Sequence, residues 1–124
     1  MNDQDPVDAA AEKIAIANDL IQQGRLPAAV KMLDEAMRLR PDPRTLLDLA
    51  RLELANPAAR QRALDHIKQA LTMDPKFTEA WLELANYWGV RGNLQRQQGC
   101  LAKILSYDPN HREAREVLET LGGK

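Results

Sequence analysis

The sequence has 124 residues, which is the length of a single domain and enough to bury a core without disulfides or metals. Its 17 Lys and Arg residues nearly balance its 18 Asp and Glu residues, and a net charge of −1 argues against a dedicated nucleic-acid binder. The lone cysteine, Cys100, excludes an internal disulfide, and an aromatic content of only 4% favours helices over strands.

Neither the charge pattern nor the hydropathy pattern predicts a targeting signal or a membrane span. Residues 1–8 carry acidic side chains instead of the basic start of a secretory signal. The apolar runs extend over only a few residues, whereas a membrane-spanning helix needs about 20. We therefore expect no membrane insertion and a cytoplasmic location, where a thiol such as that of Cys100 stays reduced.

Helix-start signals and apolar residues at helical spacing predict seven helices. Asp5-Pro6 begins the first, because Asp caps a helix and Pro suits its first position. Leu26-Pro27 and Asn56-Pro57 begin the second and fourth in the same way, and Asn110 is expected to cap the last. The predicted helices are residues 6–23, 27–40, 44–55, 57–73, 77–91, 94–107 and 111–121.

Three prolines mark an internal repeat. Pro41, Pro75 and Pro109 stand 34 residues apart, and each follows an apolar run of helical period. A repeat of this length is typical of helix–turn–helix units that bury their apolar faces only by stacking on one another. The chain is therefore predicted to be all-α and built from three such units.

The third unit carries the clearest motif. Its first helix places large side chains around a small one on a single face, and Gly92-Asn93 then ends that helix and caps the next. The motif reads Trp81-x-x-Leu84-Ala85-x-x-Trp88.

This pattern resembles the tetratricopeptide repeat (TPR) in the style of its small bacterial members. The resemblance implies a right-handed α-solenoid of three TPR helix–turn–helix repeats and a C-terminal capping helix, all in a single domain, 1–124. The implied repeats are about 10–43, 44–77 and 78–111, and the capping helix is 111–121.

The three units depart from the TPR pattern in different places. Lys13 stands in the Trp slot of the first unit, and Asn56-Pro57 makes the turn of the second unit come early. In the third unit Gln97 occupies the small-residue slot that holds Ala29 and Ala63 in the others. A Gln there is expected to crowd the helix contact, so that the helices splay or the Gln finds a polar partner.

No set of residues points to catalysis or to a cofactor. His66 and His111 lie 45 residues apart in different units, with His66 expected on an exposed outer face and His111 in solvent. Cys100 is expected to be a small buried hydrophobe on a packed helix. We therefore predict a non-enzymatic protein without a metal or other cofactor.

In TPR arrays the first helices of successive repeats line a concave groove that takes segments of partner proteins. The resemblance therefore implies an interaction module, an adaptor or assembly scaffold, whose groove residues lie off the packing stripe; the alternative is that they form ordinary solvated faces. Tyr87, as an aromatic residue off that stripe, is a further candidate, with packing as its alternative role. The implied groove residues are Ile14, Asn18 and Ile21; Leu47, Asp48 and Arg51; Glu79, Leu82, Glu83, Asn86 and Val90; and Glu113, Glu116 and Thr120.

Acids outnumber the single base five to one among these residues, which predicts a negative groove with apolar spots. A partner segment with Lys or Arg and some aliphatic side chains would suit it. The resemblance also excludes one TPR subtype, the chaperone-binding members that hold a C-terminal carboxylate with cationic and amide groups. The positions of those groups are here occupied by Ile14, Asp48, Glu79 and Glu83, and the acids would repel a carboxylate.

Two other functions stay open at this point. The chain could self-associate as a homo-oligomer, with the Gln95–Gln98 run in the interface. It also resembles three-repeat secretion chaperones that shield helices of exported proteins, although no particular residue favours that function.

Overall fold

The computed structural model describes residues 6–122, which form seven α-helices and one short 3₁₀ turn and contain no strand. The seven predicted helices are confirmed, with ends that differ by at most a few residues. Asp5, the predicted first cap, lies outside the described residues. The helices are α1 (Pro6–Gln22), α2 (Leu26–Leu39), α3 (Pro43–Leu54), α4 (Arg60–Met73), α5 (Thr78–Val90), α6 (Leu94–Tyr107) and α7 (Arg112–Thr120), and the 3₁₀ turn is Pro57–Ala59.

The described residues divide into two compact units. The first unit holds α1–α4 and ends at Met73, and the second begins at Asp74 and holds α5–α7. The aromatic residues of the sequence, two Trp, two Tyr and one Phe, all belong to the second unit. That residues 1–124 form one domain stays a prediction.

The first hairpin joins α1 and α2 through a tight turn. Gly24 ends α1 with a φ of +76°, a backbone conformation that glycine adopts without strain. The Arg25 N–H then donates to the Leu20 carbonyl at 2.8 Å, and α2 runs back along α1. Ala17 of α1 and Ala29 of α2 are fully buried, as expected where two helix backbones approach closely.

An ion pair occupies the slot where the repeat pattern has Trp. The Lys13 ammonium donates to Glu35 Oε1 at 2.9 Å and so joins α1 to α2. This hydrogen bond lowers the pKa of the Glu35 carboxyl below its ordinary value. The first hairpin therefore closes with a charged contact in place of an aromatic ring.

Helix α3 is the most buried helix of the first unit. Its leucines Leu46, Leu47 and Leu49 are fully buried, because α3 packs against both α2 and α4. A helix covered on two sides needs apolar residues over most of its circumference. This explains why its apolar residues are too dense to define a single face.

The early turn of the second hairpin is the 3₁₀ segment between α3 and α4. The Asn56 side chain accepts a hydrogen bond from the Ala58 N–H at 3.1 Å, and Pro57 follows it as the sequence predicts. Ala59, the last residue of this turn, is buried. The predicted fourth helix therefore begins with one 3₁₀ turn before α4 starts at Arg60.

In the second unit, α5 and α6 form a hairpin with the predicted turn. Gly92 has a φ of +74°, and Asn93 Oδ1 accepts from the Arg96 N–H at 3.1 Å, so Asn93 caps α6. At the far end of the hairpin, the Thr78 and Tyr107 hydroxyls hydrogen-bond at 2.8 Å.

Helix α7 packs on α6 and fully buries Ala114. The prediction that Asn110 caps it was wrong, because the cap is His111, whose Nδ1 accepts from the Ala114 N–H at 3.2 Å. The His111 N–H itself donates to the Asp108 carbonyl in the preceding turn, which leaves Asn110 outside the helix. His111 is therefore half-buried rather than free in solvent.

Gly89 makes room for Gln97 in the α5–α6 contact. A Cβ atom added to Gly89 would lie only 2.8 Å from Gln97 Cδ, so the Gln side chain lies directly against the glycine backbone. Gln97 Oε1 is buried and has no hydrogen-bond partner among the described residues. The crowding expected from Gln97 is thus relieved by the glycine on the facing helix.

Candidate functional site

Five of the six implied groove residues of the first unit come together in the structure. Asn18 of α1 and Asp48 and Arg51 of α3 line one open groove of about 300 Å³. We call this surface the α1/α3 groove. Its remaining lining residues are Thr45 and the apolar Ile14, Ile21, Leu33 and Leu52.

Helical spacing explains how these side chains reach the groove. Ile14, Asn18 and Ile21 lie four and three residues apart and so share one face of α1. Asp48 and Arg51 lie three apart on α3, where Asp48 Oδ1 and Arg51 Nη1 are 4.0 Å from each other. The groove therefore has an apolar lining and a polar side that carries both signs of charge.

One implied groove residue does not reach this surface. Leu47 is fully buried in the core of the first unit, so the expectation that it lines the groove was wrong. It lies next to Asp48 in sequence, and a single residue turns a helical side chain by about 100°. The dense leucines of α3 hid this difference in the sequence.

The candidates of the second unit lie on one face of α5. Their spacing of three or four residues aligns them along the helix. Val90 is 75% exposed, and the Leu82 and Glu83 side chains are half-buried. The residues of this face are Glu79, Leu82, Glu83, Asn86 and Val90.

The acidic residues of α7 are not all equivalent. Glu116 Oε2 accepts from Arg112 Nε at 2.9 Å, so a neighbouring cation offsets its charge. The Thr120 hydroxyl donates to the Glu116 carbonyl at 2.8 Å and is held on the helix. Glu113 is exposed in the first turn of α7.

No protein-family model matches the sequence, and no curated protein matches it. Among solved structures, the first TPR domain of Spaghetti (RPAP3) bound to the HSP90 peptide SRMEEVD is similar, with a TM-score of 0.70. The match covers 94% of each chain at 18% sequence identity. The chain has the TPR fold.

The predicted all-α repeat fold is therefore confirmed, and Ala17, Ala29 and Ala63 are fully buried in its small-residue slots. Within residues 6–122, no helix combines the length and apolar character needed to cross a bilayer. No three His, Cys, Asp or Glu side chains in that range are grouped so that they could hold a metal ion.

Tyr87 packs inside the TPR fold instead of facing a ligand. It is 9% exposed, its ring makes an edge-to-face contact with Trp88 at 4.9 Å, and the Arg91 guanidinium lies 3.7 Å above it. The expectation that Tyr87 lies off the packing stripe was wrong. The spacing of Ala80, Leu84 and Tyr87 places all three on the same buried face of α5.

Two further residues singled out in the sequence also have packing roles. Cys100 is buried as predicted, and burial raises the pKa of its thiol to about 11, so it is not a reactive thiolate at neutral pH. In the Gln95–Gln98 run, the Arg96 guanidinium lies 4.7 Å from the centre of the Trp88 ring. Part of that run thus engages its own hairpin.

The structure also contains a polar cluster that the sequence pattern did not predict. The prediction that His66 lies on an exposed face was wrong, because its side chain is 15% exposed and contacts α2 and α3. Its Nδ1 lies 2.6 Å from Oε1 of Glu53, which is 2% exposed, and its Nε2 lies 3.6 Å from Asp34 Oδ1. Arg62 Nε lies 3.8 Å from Glu53 Oε2. We call these four residues the His66 cluster.

The hydrogen bond to Glu53 raises the pKa of His66 above its ordinary value. Burial acts in the opposite direction, and the negative charges of Glu53, Asp34 and Asp65 add to the rise. A signal for this cluster was present in the sequence: Glu53 follows Leu49 by four residues and Ala50 by three, and so falls on the buried face of α3. A carboxylate in such a position needs a hydrogen-bonding partner.

Proposed function

We propose that this protein is a non-enzymatic interaction module, an adaptor or scaffold, that binds a segment of a partner protein in the α1/α3 groove. The observation that carries the proposal is the juxtaposition of Asn18, Asp48 and Arg51 beside an apolar lining. Polar groups fix the register of a bound segment, and burial of apolar surface supplies favourable binding free energy.

The structural neighbour supports the class of ligand. The TPR domain of Spaghetti (RPAP3) is bound to the HSP90 peptide SRMEEVD, so that domain takes a short peptide. We propose that the present chain also binds a short peptide, but one whose sequence differs from SRMEEVD. Ile14 and Asp48 stand where a carboxylate-binding TPR would need cationic or amide groups, which disfavours a ligand with an acidic end.

The partner segment that suits this chain is basic and aliphatic. Asp48 supplies an anion in the α1/α3 groove. A Lys or Arg side chain of the partner would meet Asp48, while aliphatic side chains would cover Ile14 and Ile21. For location we propose the cytoplasm, where the buried Cys100 thiol stays reduced.

A selection from random short peptides displayed on phage tests this function. We expect the retained peptides to be enriched in Lys, Arg and aliphatic residues, and we expect SRMEEVD, used as a counter-probe, not to bind. The substitution Asp48→Lys should weaken the selected peptides by about tenfold or more, because it places like charges together.

Asp19→Lys is the matched control, since Asp19 is an exposed acid of α1 that does not line the α1/α3 groove. It should leave binding nearly unchanged. Enrichment of acidic peptides, tight binding of SRMEEVD, or equal effects of the two substitutions would contradict the proposal.

A further inference from the structure

The His66 cluster joins the two hairpins of the first unit. His66 belongs to α4, Glu53 to α3 and Asp34 to α2, so the imidazole lies between an acid of its own hairpin and an acid of the other. The cluster lines an open groove of about 430 Å³ between α2 and α4. It lies apart from the α1/α3 groove, with which it shares no lining residue.

The protonation state of His66 decides how many carboxylates its ring can face with an N–H donor. A charged imidazolium has two N–H donors, so Nδ1 donates to Glu53 while Nε2 presents a positive N–H to Asp34. A neutral imidazole has one N–H. If that proton stays on Nδ1 for the 2.6 Å contact with Glu53, the Nε2 lone pair faces the Asp34 carboxylate, and the attraction to α2 is lost.

The neighbouring charges do not replace this contact. On α2, Arg38 is paired with Asp34 at 3.0 Å along the same helix, and Lys31 lines the same groove. On α4, Arg62 is 67% exposed and too far from Glu53 for a hydrogen bond, and Asp65 accepts from Gln61 of its own helix. Among the contacts of the His66 cluster, the one between His66 and Asp34 crosses from the second hairpin to the first.

We propose that the His66 cluster is a proton-dependent clasp that holds α2 of the first hairpin against the second hairpin when His66 is charged and loosens when it is neutral. The proposal concerns the first unit alone and does not depend on the binding function proposed above. Since the contact lies between α2 and α4, a change in His66 charge should show first in the local opening of α2.

Amide hydrogen exchange of the full chain tests the clasp at about pH 5.5, below an ordinary His pKa, and at about pH 8.5, far enough above it to allow for the raised pKa of His66. After correction for intrinsic exchange rates, the protection of α2 should fall by up to about tenfold at the higher pH. Helix α6 of the second unit serves as the internal reference and should not change in the same way.

Asp34→Asn and Asp65→Asn form a matched pair of variants. Both remove one negative charge near His66, but Asp34 lies on α2 and Asp65 on α4. Asp34→Asn should abolish the pH dependence of α2 protection, whereas Asp65→Asn should retain it. Arg38→Gln removes the helix partner of Asp34 and should also retain the pH dependence.

The clasp is refuted if wild-type α2 protection is equal at both pH values, or if it falls in parallel with that of α6. It is equally refuted if Asp34→Asn keeps the full pH response. The wild-type comparison needs no variant, so poor folding of a substituted chain cannot hide the result.

Discussion

Glu53 shows how a charged residue is accommodated in a small helical core. It is 2% exposed on a helix whose neighbouring side chains are mostly Leu and Ala, and the 2.6 Å contact with His66 gives its carboxylate a strong partner. A buried charge without such a partner is strongly destabilising. The sequence permits Glu53 to be assigned to the buried face, but not its partner, because His66 approaches from another helix.

The raised pKa of His66 makes stability depend on pH in a defined direction. A group whose folded pKa lies above its unfolded pKa stabilises the fold fully below the unfolded value, about 6.5, and this contribution is lost as pH rises through the folded value. Urea unfolding followed by far-UV circular dichroism should therefore show wild type more stable than His66→Gln by about 1–2 kcal/mol near pH 5.5. The difference should shrink towards about pH 8.5, and a difference that is independent of pH would contradict this assignment.

The packing of two helices in a hairpin depends on how closely their backbones can approach. In the first hairpin Ala17 and Ala29 allow close approach, and in the third Gly89 accommodates Gln97. The sequence predicted the crowding by Gln97. It did not predict the solution, because Gly89 belongs to the facing helix and its relation to Gln97 appears only when the two helices are packed.

The Gly89–Gln97 contact predicts a non-additive pair of substitutions. Gly89→Ala places a Cβ against the far end of the flexible Gln97 side chain, and the cost of moving that side chain opposes the gain of about 1 kcal/mol that Ala has over Gly in a helix interior. Gly89→Ala should therefore be more favourable in a Gln97→Ala background than in the wild-type background. The free energies of unfolding of both single variants and the double variant form the cycle.

Gly99→Ala is the matched control for that cycle. Gly99 lies within α6, and a Cβ there meets no atom within 4 Å, so the substitution should stabilise the helix by up to about 1 kcal/mol. Purely additive effects at Gly89 and Gln97, or a gain in stability from Gly89→Ala equal to that from Gly99→Ala, would show that the two residues do not limit each other.

Substitution of a buried alanine provides a second test of helix packing. Ala29→Asp puts a charge at a fully buried position and should destabilise the first hairpin by more than about 3 kcal/mol. Ala11→Asp makes the same chemical change at an exposed position of α1 and should alter stability by less than about 0.5 kcal/mol. Thermal unfolding monitored by circular dichroism measures both, and comparable melting temperatures for the two variants would contradict the assigned packing.

For the whole molecule, the fold was predictable because turn and packing signals recur at a fixed spacing. Pro41, Pro75 and Pro109 set the period, and the small-residue slots set the face that packs. The exact direction of individual side chains was less predictable. Leu47 of α3 and Tyr87 of α5 were each assigned to the wrong side of their helix. Both helices carry apolar or aromatic residues around much of their circumference.

The uneven distribution of aromatic residues has a practical consequence for spectroscopy. Because Trp81 and Trp88 both belong to the second unit, the intrinsic fluorescence of this protein originates there, and the first unit contributes no indole chromophore. The far-UV signal, by contrast, sums over the helices of both units. Superimposable transitions in the two signals would establish cooperative unfolding of the chain, and separated ones would resolve the two units without any label.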